Sequence, residues 1–351
     1  MSRERIFYLD FIRAIAAISI VITHYNAIFL YMNPPMENCY IIDAYVFNVY
    51  IGSFGVSLFL IISGAALMYV YDETLKLKEF YKKRFFSIYP MFWLAFLAAF
   101  FYVYIYCGSW KYTEVPKCNL LLSVIGMDGY LADIVPTFYL VGEWFLGFIV
   151  IFYIIFPLLR YLIKKCPVVL AVFSLIIYCL LIWRYQMVIA SSKNILLRLP
   201  ELLFGMYFIK YIKKSNIIMA VAGLAVLVAN HIIKPQWSQD IQTVYIGIAS
   251  FVFLVYISQF IKSDKILLTC RWISKYSYAI FLTHHIIIYL LMSRFNLTVM
   301  TRSQSYLVFF GMCFVIAIAS VVLFKTDAII RKAVSGVFRM FLDNNNVKEI
   351  G

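Results

Sequence analysis

Charge is scarce in this 351-residue chain. Only 14% of its residues are Asp, Glu, Lys or Arg, where soluble domains carry about a quarter. Acidic residues are the scarcer sign, 17 against 31 basic ones. Such a composition excludes an ordinary soluble domain and a disordered chain. Seven cysteines show no CxxC and no His/Cys spacing. A disulfide scaffold is thereby excluded and no metal site is expected. No internal repeat stands out, which argues against an inverted-repeat transporter. The apolar residues do not alternate with polar ones, which argues against a β-barrel.

What remains is apolar. Hydrophobic residues make up 64% of the chain and the mean hydropathy is +0.88. They fall in long unbroken runs, and a helix needs roughly 20 such residues to cross a bilayer. Ten runs qualify, near 8–31, 45–71, 86–107, 138–160, 166–187, 195–213, 216–233, 242–261, 273–293 and 304–325. The expected fold is an all-α polytopic membrane bundle of about ten transmembrane helices. Residues 1–330 form one transmembrane unit, and 331–351 a basic tail. The N-terminus shows no small-residue cleavage site, so the first run is expected to be retained as a span.

The formal charge of +14 does not point to nucleic acid, because the basic residues form no stripe on a soluble face. They punctuate the ends of the runs. With ten spans, 22 of the 31 fall on one side and 8 on the other, with Arg13 alone inside a span. That bias places both termini in the cytoplasm. The longest loop, 108–137, then lies outside, where Cys107 and Cys118 are candidates to pair.

Ionisable groups inside spans are costly, and each is a functional candidate. The first run holds Asp10, Arg13 and His24. Eleven residues return a helix to within about 20° of its starting face, about 16 Å further along. Arg13 and His24 therefore share one stripe, a cation near the cytoplasm and an imidazole deeper. Asp10 lies one turn from Arg13 and is expected to pair with it or to anchor the span with it. An imidazole at that depth suits proton abstraction from a hydroxyl. The basic cluster Lys82, Lys83 and Arg84 is read as positive-inside charge or an anion site. Glu143 and Glu201 open the fourth and sixth runs, to pair with cations or to line a polar cavity. His284 and His285 are adjacent, so at most one is expected to face a given cavity. The small residues of Gly55–Gly64, with Ser57 and Ser63, are read as a close helix contact.

Several of these segments, taken together, resemble the acyltransferase-3 family of integral membrane acyltransferases. Tyr8-Leu9-Asp10-Phe11-Ile12-Arg13-Ala14 with His24 is similar to its first span. Gly55-Val56-Ser57-Leu58-Phe59 through Ile62-Ser63-Gly64 is similar to the second. Arg84 with Ile88-Tyr89-Pro90 resembles its basic motif, and Trp144-Phe145-Leu146 through Phe152-Tyr153 and Pro157 its fourth span. Ser277-Tyr278-Ala279-Ile280-Phe281-Leu282-Thr283-His284 resembles its late segment. The resemblance implies a short-form enzyme of the bacterial plasma membrane, with no appended soluble domain. It would move an acyl group, usually acetyl, from acyl-CoA to a hydroxyl of a cell-envelope or exopolysaccharide glycan. No bound cofactor is implied; acetyl-CoA or another acyl-CoA is the donor substrate, and the partners are membrane lipids and a glycan or lipid-linked sugar.

By residue, the resemblance implies His24 as the base, Arg13 as its partner in the motif and Arg84 as a donor-binding cation, with Asp10 and Lys83 in support. Ser63, Glu143, Trp144, Glu201, Tyr278 and His284 are pocket candidates. The family commonly has a second Arg where this chain has Ser87, and often a carboxylate where it has Ile149. A non-enzymatic exporter or flippase of a glycan intermediate is the alternative. An unrelated class of membrane acyltransferase, with its key His late in the chain, is another.

Overall fold

The computed structural model describes residues 4–106 and 114–348. It is 77% helical with almost no strand, an all-α polytopic bundle. The helices are α1 (Phe7–Leu30), α2 (Ile51–Tyr71), α3 (Leu77–Tyr106), the short α4 (Leu120–Ile125) and α5 (Asp128–Leu131), α6 (Trp144–Lys165), α7 (Pro167–Trp183), α8 (Leu199–Tyr207), α9 (Ile217–Ile233), α10 (Gln239–Ser258), α11 (Asp264–Met292) and α12 (Arg302–Lys348). A helix occupies each of the ten apolar runs.

Six of them, α1, α2, α3, α6, α10 and α12, are long and apolar enough to cross a membrane by length and composition. The others depart for visible reasons. Both α7 and α9 are apolar but only 17 residues long. Helix α8 has nine residues, continued by a π-helical turn at Phe208–Ile212 that stops at Lys213, φ +66°. Helix α11 has 29 residues and is more polar, carrying Ser274, Lys275, Ser277 and two histidines.

Two run boundaries are corrected. The run from 45 does not start as helix: Tyr45–Val46 and Val49–Tyr50 pair antiparallel as β1 and β2. Phe47 and Asn48, both at positive φ, make the two-residue turn. Asn48 is tied down by a 2.8 Å bond to Gln242. A run of β-branched and aromatic residues reads as apolar whichever structure it adopts. The run from 138 becomes helical only at Trp144, because Tyr139 (φ +24°) and Gly142 (φ +74°) hold the chain out of helix. At the other end, α12 passes residue 330 without a break.

Helix α2 is the pillar. In its most apolar stretch 72% is buried inside the protein, against 22% for α12, which turns Leu307, Phe310 and Phe314 outward toward lipid. Small residues let α2 pack on three neighbours. A Cβ on Gly64 would stand 2.1 Å from the Leu202 carbonyl oxygen, and one on Gly205 would stand 1.9 Å from that of Ile61. So α2 and α8 touch backbone to backbone, as the small residues of the second run suggested. Gly247 of α10 likewise lies against the Ser57 hydroxyl, and Gly55 against Ser19 and Ala16 of α1.

Several basic residues behind the charge bias also hold the fold. Arg160 donates to the carbonyls of Tyr71, Asp72 and Glu73, and Lys164 to that of Asp72. They satisfy the bare carbonyls at the end of α2. Lys210 ion-pairs with Asp72 at 2.8 Å.

Candidate active site

A cavity of about 520 Å³ runs between α1, α2, α3, α6 and α11. Its wall at the basic end includes Arg13, Ser87, Tyr153, Ser277 and Tyr278. At the opposite end it includes Tyr31, Tyr50, Ser192, Lys193 and Arg198. His24 lies between the two groups. Helix α1 lines the cavity with Arg13, Ile20, Thr23, His24, Ala27 and Tyr31, the single stripe that helical spacing predicts.

Arg13 and Asp10 do not pair as expected. Asp10, 4% exposed, is instead ion-paired with Arg5 and accepts a 2.6 Å hydrogen bond from the Ser274 hydroxyl. Arg13 donates to the same hydroxyl at 3.4 Å. Ser274 of α11 therefore bridges acid and cation through its hydroxyl. Nothing in the sequence marks Ser274, since hydroxyl residues are common in spans.

Arg84 has no carboxylate partner among the described residues. Its guanidinium lies over the rings of Tyr71, at 5.8 Å, and Tyr153, at 5.5 Å. Tyr153 also lines the cavity, so Arg84 stands just behind the wall at the basic end. The Tyr278 hydroxyl donates to the Ile88 carbonyl at 3.1 Å, joining α11 to the same turn of α3. Lys83 is exposed.

Around His24 the structure gathers more imidazole than the sequence predicts. The His24 ring lies 4.9 Å from that of His284 and 5.2 Å from that of His285, centroid to centroid. Both of the adjacent histidines reach it, although neither lines the cavity, which agrees with the expectation that at most one would face it. They diverge on α11, but the His24 ring fits between them. His285 was not among the expected site residues; it packs on Gly142, whose missing Cβ would lie 3.1 Å from the ring. No group of three His, Cys, Asp or Glu among the described residues is arranged to hold a metal ion.

The remaining candidates divide. Ser63 and Trp144 line the cavity, and so do Ser87 and Ile149, the two positions that depart from the family pattern. Ser63 donates to the Phe59 carbonyl at 2.7 Å. Glu143 does not line it: fully buried, it accepts from the Val141 amide at 2.9 Å. Glu201 is also fully buried, ion-paired at 2.9 Å with Arg198, and it is Arg198 that reaches the cavity. Lys193, at the end of the cavity opposite Arg13, is paired with Asp133 at 2.8 Å. Asp128, fully buried at the start of α5, is pushed up to about 6 by burial. The Cys107–Cys118 pairing lies outside the described residues, since Cys107 is not described; Cys118 is a free, exposed thiol.

A cavity holding a guanidinium and an imidazole on one helix stripe is the arrangement that the motifs implied. Residues 6–325 match the model of the acyltransferase-3 family, described as an acyltransferase domain. The chain belongs to the acyltransferase-3 family. It is a multi-pass membrane acyltransferase, transferring acyl groups other than aminoacyl groups. No curated protein and no solved structure matches the chain. The family match covers all of the helices that build the cavity, so the cavity belongs to the acyltransferase unit itself.

Proposed function

We propose that this acyltransferase moves an acetyl or other short acyl group from acyl-CoA to a hydroxyl of a cell-envelope or exopolysaccharide glycan, in a bacterial plasma membrane. The observation that carries the reading is the place of His24, in the wall of a cavity that α1 lines from Arg13 to Tyr31. Acyl-CoA enters at the basic end, with its phosphates near Arg84 and the lysines before it, where charge favours an anion. The thioester arm passes Arg13 toward His24. The acceptor hydroxyl comes from the opposite end, past Tyr31, Tyr50 and Lys193.

The His24 nitrogen lone pair takes the hydroxyl proton as the oxygen attacks the thioester carbonyl. The C–O bond forms, the tetrahedral intermediate collapses and the C–S bond breaks. The departing thiolate takes the proton from the imidazolium, so the products are an ester and free CoA. Trp144, Phe145 and Phe281 in the wall keep water from competing as the nucleophile.

The test uses membranes or purified protein with acetyl-CoA labelled in the acetyl group. Labelled glycan is the expected result. His24→Ala should lower transfer by about 10²-fold or more while the protein stays inserted. Wild-type turnover in that variant would refute the assignment. Glycan transport without label would favour the exporter reading.

A further inference from the structure

The environment of His284 fixes which of its nitrogens carries a proton. Nδ1 lies 3.0 Å from the Ile280 carbonyl and 2.8 Å from the Phe281 carbonyl of its own helix. Carbonyl oxygens only accept, so Nδ1 must be the N–H. In the neutral ring Nε2 then holds a lone pair. That Nε2 is buried, with His284 itself 1% exposed, and it has no hydrogen-bond partner. A buried acceptor left unmet is costly. His284 is not part of the cavity wall; the ring beside it that does line the cavity is His24, at 4.9 Å.

From this we infer that His284 is a positioning residue that sets the tautomer of His24. Its Nε2 receives the N–H of whichever His24 nitrogen turns toward it. The opposite nitrogen of His24 then carries the lone pair and is the one offered to the substrate hydroxyl. In the present structure the two rings meet edge to face, and the bond closes by rotation of the His24 ring as the substrate enters. Such contacts commonly tighten only in the productive complex. An acceptor behind a catalytic imidazole does the same work for a serine-hydrolase histidine, where the wrong tautomer costs several orders of magnitude. The inference rests on His24 being the base.

The chain has only four histidines, so a spectrum of protein labelled with ¹⁵N in its histidines is tractable. At neutral pH, His284 should show a protonated Nδ1 and an unprotonated Nε2, assigned by loss of its signals in a His284 variant. An Nε2–H tautomer or a doubly protonated ring would overturn the inference without reference to activity. In turnover, His284→Gln places an amide oxygen near Nε2 and should keep kcat within about tenfold. His284→Asn retains a donor near Nδ1 but nothing at Nε2, and should lose about 10²-fold or more in kcat with KM for acyl-CoA unchanged. Equal kcat in the two variants would refute it. If His24→Ala kept its turnover, the premise would fall. If His24→Ala were dead and His284→Asn fully active, only the role of His284 would fall.

Discussion

Replacing Gly205 by Ala adds one carbon at the tightest point of the bundle. The new Cβ would stand 1.9 Å from the Ile61 carbonyl oxygen, 2.8 Å from its carbon and 2.9 Å from the Ala65 nitrogen. Ordinary contact begins near 3.4 Å, so α8 must retreat from α2 by about 1.5 Å. All three clashing atoms are backbone, and no side chain can swing aside. Overpacking of this kind costs about 1–3 kcal/mol. In lipid the loss also weighs on function, because helix association there depends on close packing. Helix α8 follows Arg198, which reaches the cavity, and carries Glu201, its partner. The variant should therefore melt earlier in detergent and turn over more slowly. Gly311→Ala is the control: no atom lies within 4 Å of its Cβ, and Ala is the better helix former by up to about 1 kcal/mol. That protein should melt at or above the wild-type temperature. Thermal unfolding followed by thiol labelling reads both. If Gly205→Ala melts with the wild type, the backbone-to-backbone contact of α2 and α8 is wrong.

Three further outcomes are expected. Ser274→Ala removes a 2.6 Å bond to a buried carboxylate and the link from Asp10 to Arg13, at about 1.5–3 kcal/mol, measured as a loss of thermal stability well beyond that of Ser293→Ala at an exposed helix end. Arg84→Ala should raise KM for acyl-CoA more than it lowers kcat, with Arg84→Lys in between; an unchanged KM would remove Arg84 from the donor site. Asp128 titrates near 6 when folded because burial disfavours its charge, above its ordinary 3.8. The folded state then holds a proton that the unfolded state has lost, so stability is fully present below 3.8 and falls as pH rises to about 6. Asp128→Asn should thus raise the melting temperature at pH 8 and leave it unchanged at pH 3.5.

How much of the site was readable follows from the range over which each feature is determined. The α1 stripe needs only the helical repeat, and Arg13 and His24 share a cavity as their spacing demands. The close α2 contact was readable because Gly and Ser leave few other uses for an apolar helix. The partner of Asp10 was not, since Arg5 and Ser274 lie on opposite sides of it in sequence and one is 264 residues away. Nor was the hairpin before α2, where apolar character is the same for strand and helix. Glu143 and Glu201 read as cation partners or cavity residues; Glu201 takes the first role with Arg198, while Glu143 takes neither and accepts from a buried backbone amide.

The sequence by itself determined that the chain is a membrane-embedded helical bundle, which side is basic, and that one helix edge carries a guanidinium below an imidazole. Those are properties of composition and of a repeat a few residues long. Only the tertiary structure decided that two consecutive histidines from a distant helix would flank His24, that Ser274 would bridge Asp10 and Arg13, and that Arg84 would rest on tyrosine faces. Each of these depends on how helices are rotated and set against one another, and that is fixed by backbone contacts such as Gly64 on Leu202, which no local pattern encodes.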